Sequence, residues 1–298
     1  MRLVTFRSEG GRKLGVVRPG QADEVIELPE PTSMLTLIES GDQGLARVQA
    51  TLSSSNPRIR KLADIRLLPP LIPRGNVIAI GRNYAKHAQE TAKQGKEPEP
   101  PTIFTKAITS LAAPYADIPL DPGISDKLDW EVELGVVIGR AGANIKTADA
   151  RNHVFGYTVI NDVTARDMQV GYGNQYFKGK SLDKSSPVGP WIVTRDEIDD
   201  TQSLTLRLRI NGELKQEGNT SDMIYPVDAT IEWVTKGMTV LPGTIIATGT
   251  PDGVGFARTP PEYLKPGDVM ESEVEGIGLL RNRIVSAVNA PIPPVAVP

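Results

Sequence analysis

Glu131 and Glu133, two residues apart in "LDWEVELGVV", are the first pair in this sequence whose type and spacing point to chemistry. Residues i and i+2 of a strand share a face. The chain runs on as "LGVVIG" without a polar side chain, as expected of a strand covered on both sides. Two like charges in such surroundings are costly unless something offsets them. The alternative is an edge strand with one solvated face, where Glu-x-Glu is unremarkable in composition. A third carboxylate, Asp162, closes another apolar run, "GYTVIN". It begins "DVTARDMQ", so it could also be a helix N-cap. Counted along a helix from Asp162, Arg166 and Gln169 fall on one face at i+4 and i+7. A guanidinium and an amide beside a carboxylate suit a carboxylated ligand, or form an ordinary surface pair.

A second constellation lies in "IGRNYAKHAQE", where His87 and Glu90 are three apart on an expected helix. A carboxylate on one imidazole nitrogen fixes the tautomer and raises basicity, as a general base near neutral pH requires. A solvated helix face is the plainer reading. The charged, proline-rich "TAKQGKEPEPP" that follows makes this helix a lid candidate. "FKGKSLDKS" contains Gly-Lys-Ser, but Asn174 stands where a phosphate loop needs its first glycine, and no G-x-G-x-x-G follows a strand. Nucleotide binding is thus poorly supported.

Composition narrows the field. The 298 residues are 39% hydrophobic and 23% charged, with a net charge of -3. That balance gives no reason to expect nucleic acid or a membrane as partner. No apolar run is long enough to span a bilayer, and the first residues lack the apolar core of a secretory signal, so the expected location is the cytoplasm. Cysteine is absent, and the only histidines are His87 and His153. Thiolate sites and three-histidine sites are therefore excluded. Any metal would be held mainly by oxygen, which favours Mg²⁺, Mn²⁺ or Ca²⁺ over zinc. His153 is read as structural.

The elements that must position these groups are mostly strands. "RLVTFRSEGGRKLGVVR" reads as a hairpin about Gly10–Gly11, and a helical pattern runs from about Ser33 to Leu52. "LLPPLIPRGN" reads as a linker. "LTLRLRINGELKQEG" is a hairpin marked by Asn211–Gly212. "VDATIEWVTKG" is a helix ending near Gly237. The expected fold is α+β, mainly β. It has a small N-terminal α+β domain (1–72), a catalytic domain (73–286) and an extended tail (287–298).

Seven blocks in order then carry a resemblance: "GRNYAKHAQE", "PTIFTKAITS", "LDWEVELGVVIG", "FGYTVINDVTARDMQ", "FKGKSLDKSSPVGPW", "MTVLPGTIIATGTPDGVG" and "LKPGDVMESEVEGIGLLRN". From about Asn76 to Val285 the chain resembles the fumarylacetoacetate hydrolase family, in its prokaryotic two-domain form. The resemblance implies a mixed β-roll catalytic fold, a homodimer, and Mg²⁺ or Mn²⁺ as cofactor. By matching motifs it places the metal on Glu131, Glu133 and Asp162, and catalysis on His87, Glu90 and Lys180. Substrate contacts fall on Arg82, Lys106, Arg166, Gln169 and Thr250. A dication would answer the repulsion between the two glutamates. The implied reaction is hydrolysis of the C3–C4 bond of a 2,4-dioxo acid such as an acylpyruvate, through an enolate stabilised by the metal. The alternatives are oxaloacetate decarboxylation, isomerisation or hydration of unsaturated 2-oxo dioic acids, and, last, a non-catalytic module with a structural metal.

Overall fold

The computed structural model describes residues 1–8, 11–29, 31, 33–91 and 100–287. The Gly10 half of the first turn, most of the lid candidate after Thr91 and the tail from residue 288 lie outside the described residues.

One large sheet organises the molecule. Val132–Ile138 is a central strand, antiparallel on one side to Val154–Asn161 and on the other to Ile245–Ala247. All seven of its residues are buried, so the solvated-edge reading is excluded. Ile245–Ala247 runs parallel to Val77–Gly81, whose outer neighbour is Thr102–Lys106. On the other flank, Val154–Asn161 pairs with Ser186–Thr194. That strand pairs in turn with Arg2–Ser8, Leu3 lying opposite Ile192. The N-terminal meander Arg2–Ser8, Gly11–Arg18, Gln21–Glu27 therefore extends the main sheet.

A second sheet, in the order Glu213–Asn219, Thr205–Ile210, Val269–Val274, Gly278–Ser286, Ile118–Leu120, packs on one face of the first. Period-two alternation explains the division. Val132, Leu134, Val136 and Ile138 join Leu206, Leu208, Met270 and Leu280 in the core between the sheets. Val137 points the other way, into a core closed by helical Met34, Leu37, Ile38 and Val48. Glu131 and Glu133 share that second face by the same alternation.

The helix expected over Ser33–Leu52 is two helices, Met34–Glu39 and Gly41–Leu52, broken at Ser40. Ser33 caps the first, accepting a hydrogen bond from Thr36 N. Gly41 at φ 52° supplies the left-handed turn between them. Asn211 and Gly212, both at positive φ, make the expected hairpin turn. The helix Val227–Thr235 and Gly237 at φ 72° match their pattern too.

One expectation fails. Asp162 does not begin a helix, so it does not share a helical face with Arg166 and Gln169. Thr164–Ala165 is a short strand paired with Leu128–Asp129, and the helix begins only at Arg166.

Candidate active site and metal centre

Register brings the acids together. Val132 lies opposite Asn161, so Glu131 and Asp162 form the next pair outward, and Asp162 N–H donates to Glu131 O at 2.8 Å. Asn161 and Gln216 satisfy backbone N–H groups at this end of the central strand. The Asn161 side-chain oxygen accepts from Glu131 N–H at 2.9 Å, and that of Gln216 from Val132 N–H at 3.1 Å. Asn161 also donates to Ser272 Oγ, tying the second sheet to the site.

Ligand oxygens of Glu131, Glu133 and Asp162 all lie within 4.8 Å of one another, and all three side chains are buried. Three hard carboxylate oxygens of this kind suit a divalent cation that prefers oxygen ligands. Their other contacts divide them. Lys180 Nζ sits 2.6 Å from both Glu131 Oε2 and Asp162 Oδ2. Lys106 Nζ is 2.6 Å from Asp162 Oδ1. Arg166 Nη2 is 2.7 Å from Glu131 Oε1. Glu133 has no cation partner among the described residues; Gly249 N–H donates to its Oε2 at 2.8 Å.

The electrostatics follow. Burial would raise the Glu131 carboxyl, but Lys180 and then Arg166 outweigh it and bring it down to about 2. Burial, followed by the charges of Asp162 and Glu131, pushes Glu133 well above the usual carboxylate range. A dication at the triad would offset that repulsion.

A prediction arises here. A carboxyl raised on folding lends stability that is complete below the unfolded glutamate range and fades as pH rises through its folded value. The metal-free protein should therefore lose thermal stability on this account as pH climbs, and the gain on adding Mn²⁺ should grow with pH. Glu131 acts oppositely and lower down: its contribution is present above the ordinary glutamate value and fades toward about pH 2. Melting curves with chelator and with Mn²⁺ across pH 5 to 8 check the point; an Mn²⁺ gain independent of pH would contradict it.

The dyad comes from the strand Val77–Gly81, which feeds the helix Ala85–Thr91. His87 Nδ1 is 2.8 Å from Glu90 Oε1, and Gly253 N–H donates to Glu90 Oε2 at 3.1 Å. His87 is buried and lines the same cleft of about 370 Å³ as Glu131, Glu133, Arg166, Gln169, Lys180 and Thr250. Arg82 lines it too, while Ile80, Phe104, Tyr176 and Phe256 give it apolar walls. Wider grooves elsewhere, one of about 1090 Å³ beside Gln49 and Glu197, gather no comparable set.

Several expected substrate groups are committed to the protein. Lys106 is fully buried against Asp162 and Val163 O. Thr250 Oγ1 donates to Val132 O at 2.9 Å and accepts from Gln216. Arg166 donates to Asp129 through Nε and to Gln169 through Nη1. It also stacks 4.1 Å from the Phe256 ring centroid. Asp129 was not singled out from the sequence. Fully buried, it accepts from Arg166 and from the N–H groups of Trp130, Gly255 and Phe256. The signal was present: Asp129, Glu131 and Glu133 keep the period of two. His153, as expected of a structural residue, contacts Arg140 O at 3.0 Å, outside the cleft.

Comparison with known proteins places the chain in a family. Residues 76–285 match the family model described as fumarylacetoacetate (FAA) hydrolase C-terminal. A mitochondrial oxaloacetate tautomerase of Bos taurus is 40% identical over 293 residues, 96% of this chain and 92% of its own. An oxaloacetate tautomerase of Bacillus subtilis is 40% identical over 85% of this chain and 87% of its own. Among solved structures, a fumarylacetoacetate hydrolase from psychrophilic Exiguobacterium antarcticum superposes with a TM-score of 0.82 at 37% identity, covering 96% of this chain and 99% of that one. The chain belongs to the fumarylacetoacetate hydrolase family, a family of enzymes. Among the described residues no helix is long and apolar enough to cross a membrane.

Proposed function

We propose that this protein is an enzyme of 2-oxo acids that interconverts the keto and enol forms of oxaloacetate. The observation that carries the reading is a buried three-carboxylate centre, two of whose acids line one cleft with the Glu90-bound His87, in a chain 40% identical along 96% of its length to a protein named for that reaction. Glu131, Glu133 and Asp162 would hold Mg²⁺ or Mn²⁺, which when bound supplies Lewis acidity toward the oxygens of a 2-oxo acid. Everything else is assigned to the chain itself. Glu90 accepts a hydrogen bond from Nδ1–H of His87, which leaves Nε2 as the basic nitrogen. Nε2 removes a proton from C3, and the released electron pair forms the C2–C3 double bond while the carbonyl pair moves onto the C2 oxygen. That oxygen takes the proton from Nε2–H, which restores the neutral base. No water is consumed, so the apolar walls of Ile80, Phe104, Tyr176 and Phe256 serve to keep bulk water out.

The hydrolytic reading ranked first on the sequence stands second. The oriented His87–Glu90 pair favours it, because the same base can deprotonate a water that adds to C4 of a 2,4-dioxo acid. The C3–C4 bond then breaks, C3 takes the proton, and a carboxylic acid and pyruvate leave. Decarboxylation of oxaloacetate, or isomerisation of unsaturated 2-oxo dioic acids, would use the same bound 2-oxo acid group. Oxaloacetate and acetylpyruvate assayed side by side with Mg²⁺ and Mn²⁺ decide the matter. Enol absorbance, pyruvate and CO₂ are followed separately. Acceleration of tautomerisation without release of CO₂ is expected. Acetylpyruvate cleavage alone would transfer the assignment to the hydrolase, and inactivity on both would remove it.

A further inference from the structure

We propose that Arg82 receives the distal carboxylate of the substrate and so selects 2-oxo dicarboxylates over 2-oxo acids with an uncharged far end. The inference deepens the oxaloacetate reading and rests on it. The cations around the cleft are the starting point. Lys180 is held by Glu131 and Asp162, and Lys106 by Asp162. Arg166 is held by Asp129, Glu131 and Gln169. The buried acids Asp129, Glu131, Glu133 and Asp162 outnumber these three buried cations by one. Each of the three is already paired with at least one of these carboxylates. Arg82 lines the same cleft and has no ion pair or hydrogen bond to its guanidinium among the described residues; its Nε is buried without a partner. A buried N–H left unpaired is unfavourable, and a carboxylate bridging Nε and Nη is the geometry that satisfies it.

The backbone supports the same assignment. Arg82 sits at φ 54°, a left-handed conformation that side chains with a Cβ rarely adopt. The next residue locks it there. Asn83 is fully buried, donating to Thr248 O at 2.7 Å and Tyr225 O at 3.0 Å and accepting from Tyr225 N–H at 2.8 Å. Gly249 at φ 100° leaves room for this contact, since a Cβ there would come within 2.7 Å of Asn83 Cβ. Backbone strain fixed by surrounding contacts is a recurrent mark of functional positions. Arg82 and His87 also leave the same strand end, five residues apart. In oxaloacetate the distal carboxylate is attached to C3, the carbon at which His87 acts.

The test compares Arg82→Gln and Arg82→Lys with the parent on oxaloacetate and on acetylpyruvate, whose far end is a neutral methyl ketone. Loss of a charge-assisted pair should raise KM for oxaloacetate roughly tenfold to hundredfold in Arg82→Gln. The ratio of the oxaloacetate KM to the acetylpyruvate KM should rise at least about tenfold, with kcat for oxaloacetate changing much less. Arg82→Lys, which keeps the charge but loses the fork, should fall between. Equal KM increases on both substrates, or a collapse of kcat at constant KM, would overturn the assignment. If the parent enzyme itself ignores oxaloacetate, the functional reading fails instead. Calorimetric binding of oxaloacetate and of pyruvate to the Mg²⁺-loaded proteins then judges Arg82 alone. Selective weakening of oxaloacetate in Arg82→Gln upholds it, and equal weakening refutes it. An unchanged melting temperature in the variants separates a binding effect from misfolding.

Discussion

Turnover in a His87→Ala variant should fall by roughly 10²–10⁴-fold, the usual contribution of a positioned general base, while affinity for Mg²⁺ or Mn²⁺ stays close to that of the parent. The division follows from geometry. His87 is not one of the three carboxylates whose oxygens lie within 4.8 Å of one another. It is held from the far side, through Nδ1 on Glu90 at 2.8 Å, and Glu90 is itself fixed by Gly253 N–H. Glu90→Gln should give a smaller loss than His87→Ala, because the imidazole remains but its tautomer is no longer imposed by a carboxylate. Imidazole added to His87→Ala should restore part of the activity by entering the space left. Steady-state kinetics with a parallel metal titration would expose an error: near-parental turnover removes His87 as the base, and lost metal affinity makes it part of the centre.

The strongest features of the fold were legible because they are local. The apolar stretch after Glu133 announced a strand covered on both faces, and Asn211–Gly212 announced its hairpin. What escaped depended on distant partners. "DVTARDMQ" carries a helix-start pattern, yet Val163 and Thr164 are β-branched, and pairing of Thr164–Ala165 with Leu128–Asp129 draws the segment into a strand before the helix can begin. The attachment of Arg2–Ser8 to Ser186–Thr194 joins residues nearly two hundred positions apart, and no local pattern encodes it. The site shows the same limit. Spacing paired Glu131 with Glu133 and His87 with Glu90. The lysines of Asp162 come from other elements, and only register and packing reveal that Lys106 and Lys180 serve this acid. The orientation toward oxaloacetate came from relatives, since the residues that set the chemistry are shared by hydrolase and tautomerase readings.

Asp162 is where stability and function should be lost together. It receives Lys180 at 2.6 Å on one oxygen and Lys106 at 2.6 Å on the other, and both lysines are buried. Removing one partner of a buried ion pair costs about 3–5 kcal/mol because the remaining charge stays unsolvated. Asp162→Ala leaves Lys106 with only Val163 O, so a loss of that order is expected in denaturant melts, along with loss of metal binding. The loss should depend on pH in a definite direction. Burial already pushes the Lys106 ammonium down, against the opposing pull of Asp162. Without Asp162 the folded protein would hold that proton less tightly than the unfolded chain, so stability should recover as pH rises. Adding Lys106→Met should recover part of the stability at neutral pH but none of the metal binding, since the charge is removed and the ligand is not restored. Asp162→Asn keeps the shape and should lose metal with a smaller structural penalty. If Asp162→Ala is as stable as the parent at pH 7, Lys106 is not held as an ion pair by this carboxylate. Glu131 and Asp162 would then have to be oriented by Lys180 and Arg166 alone.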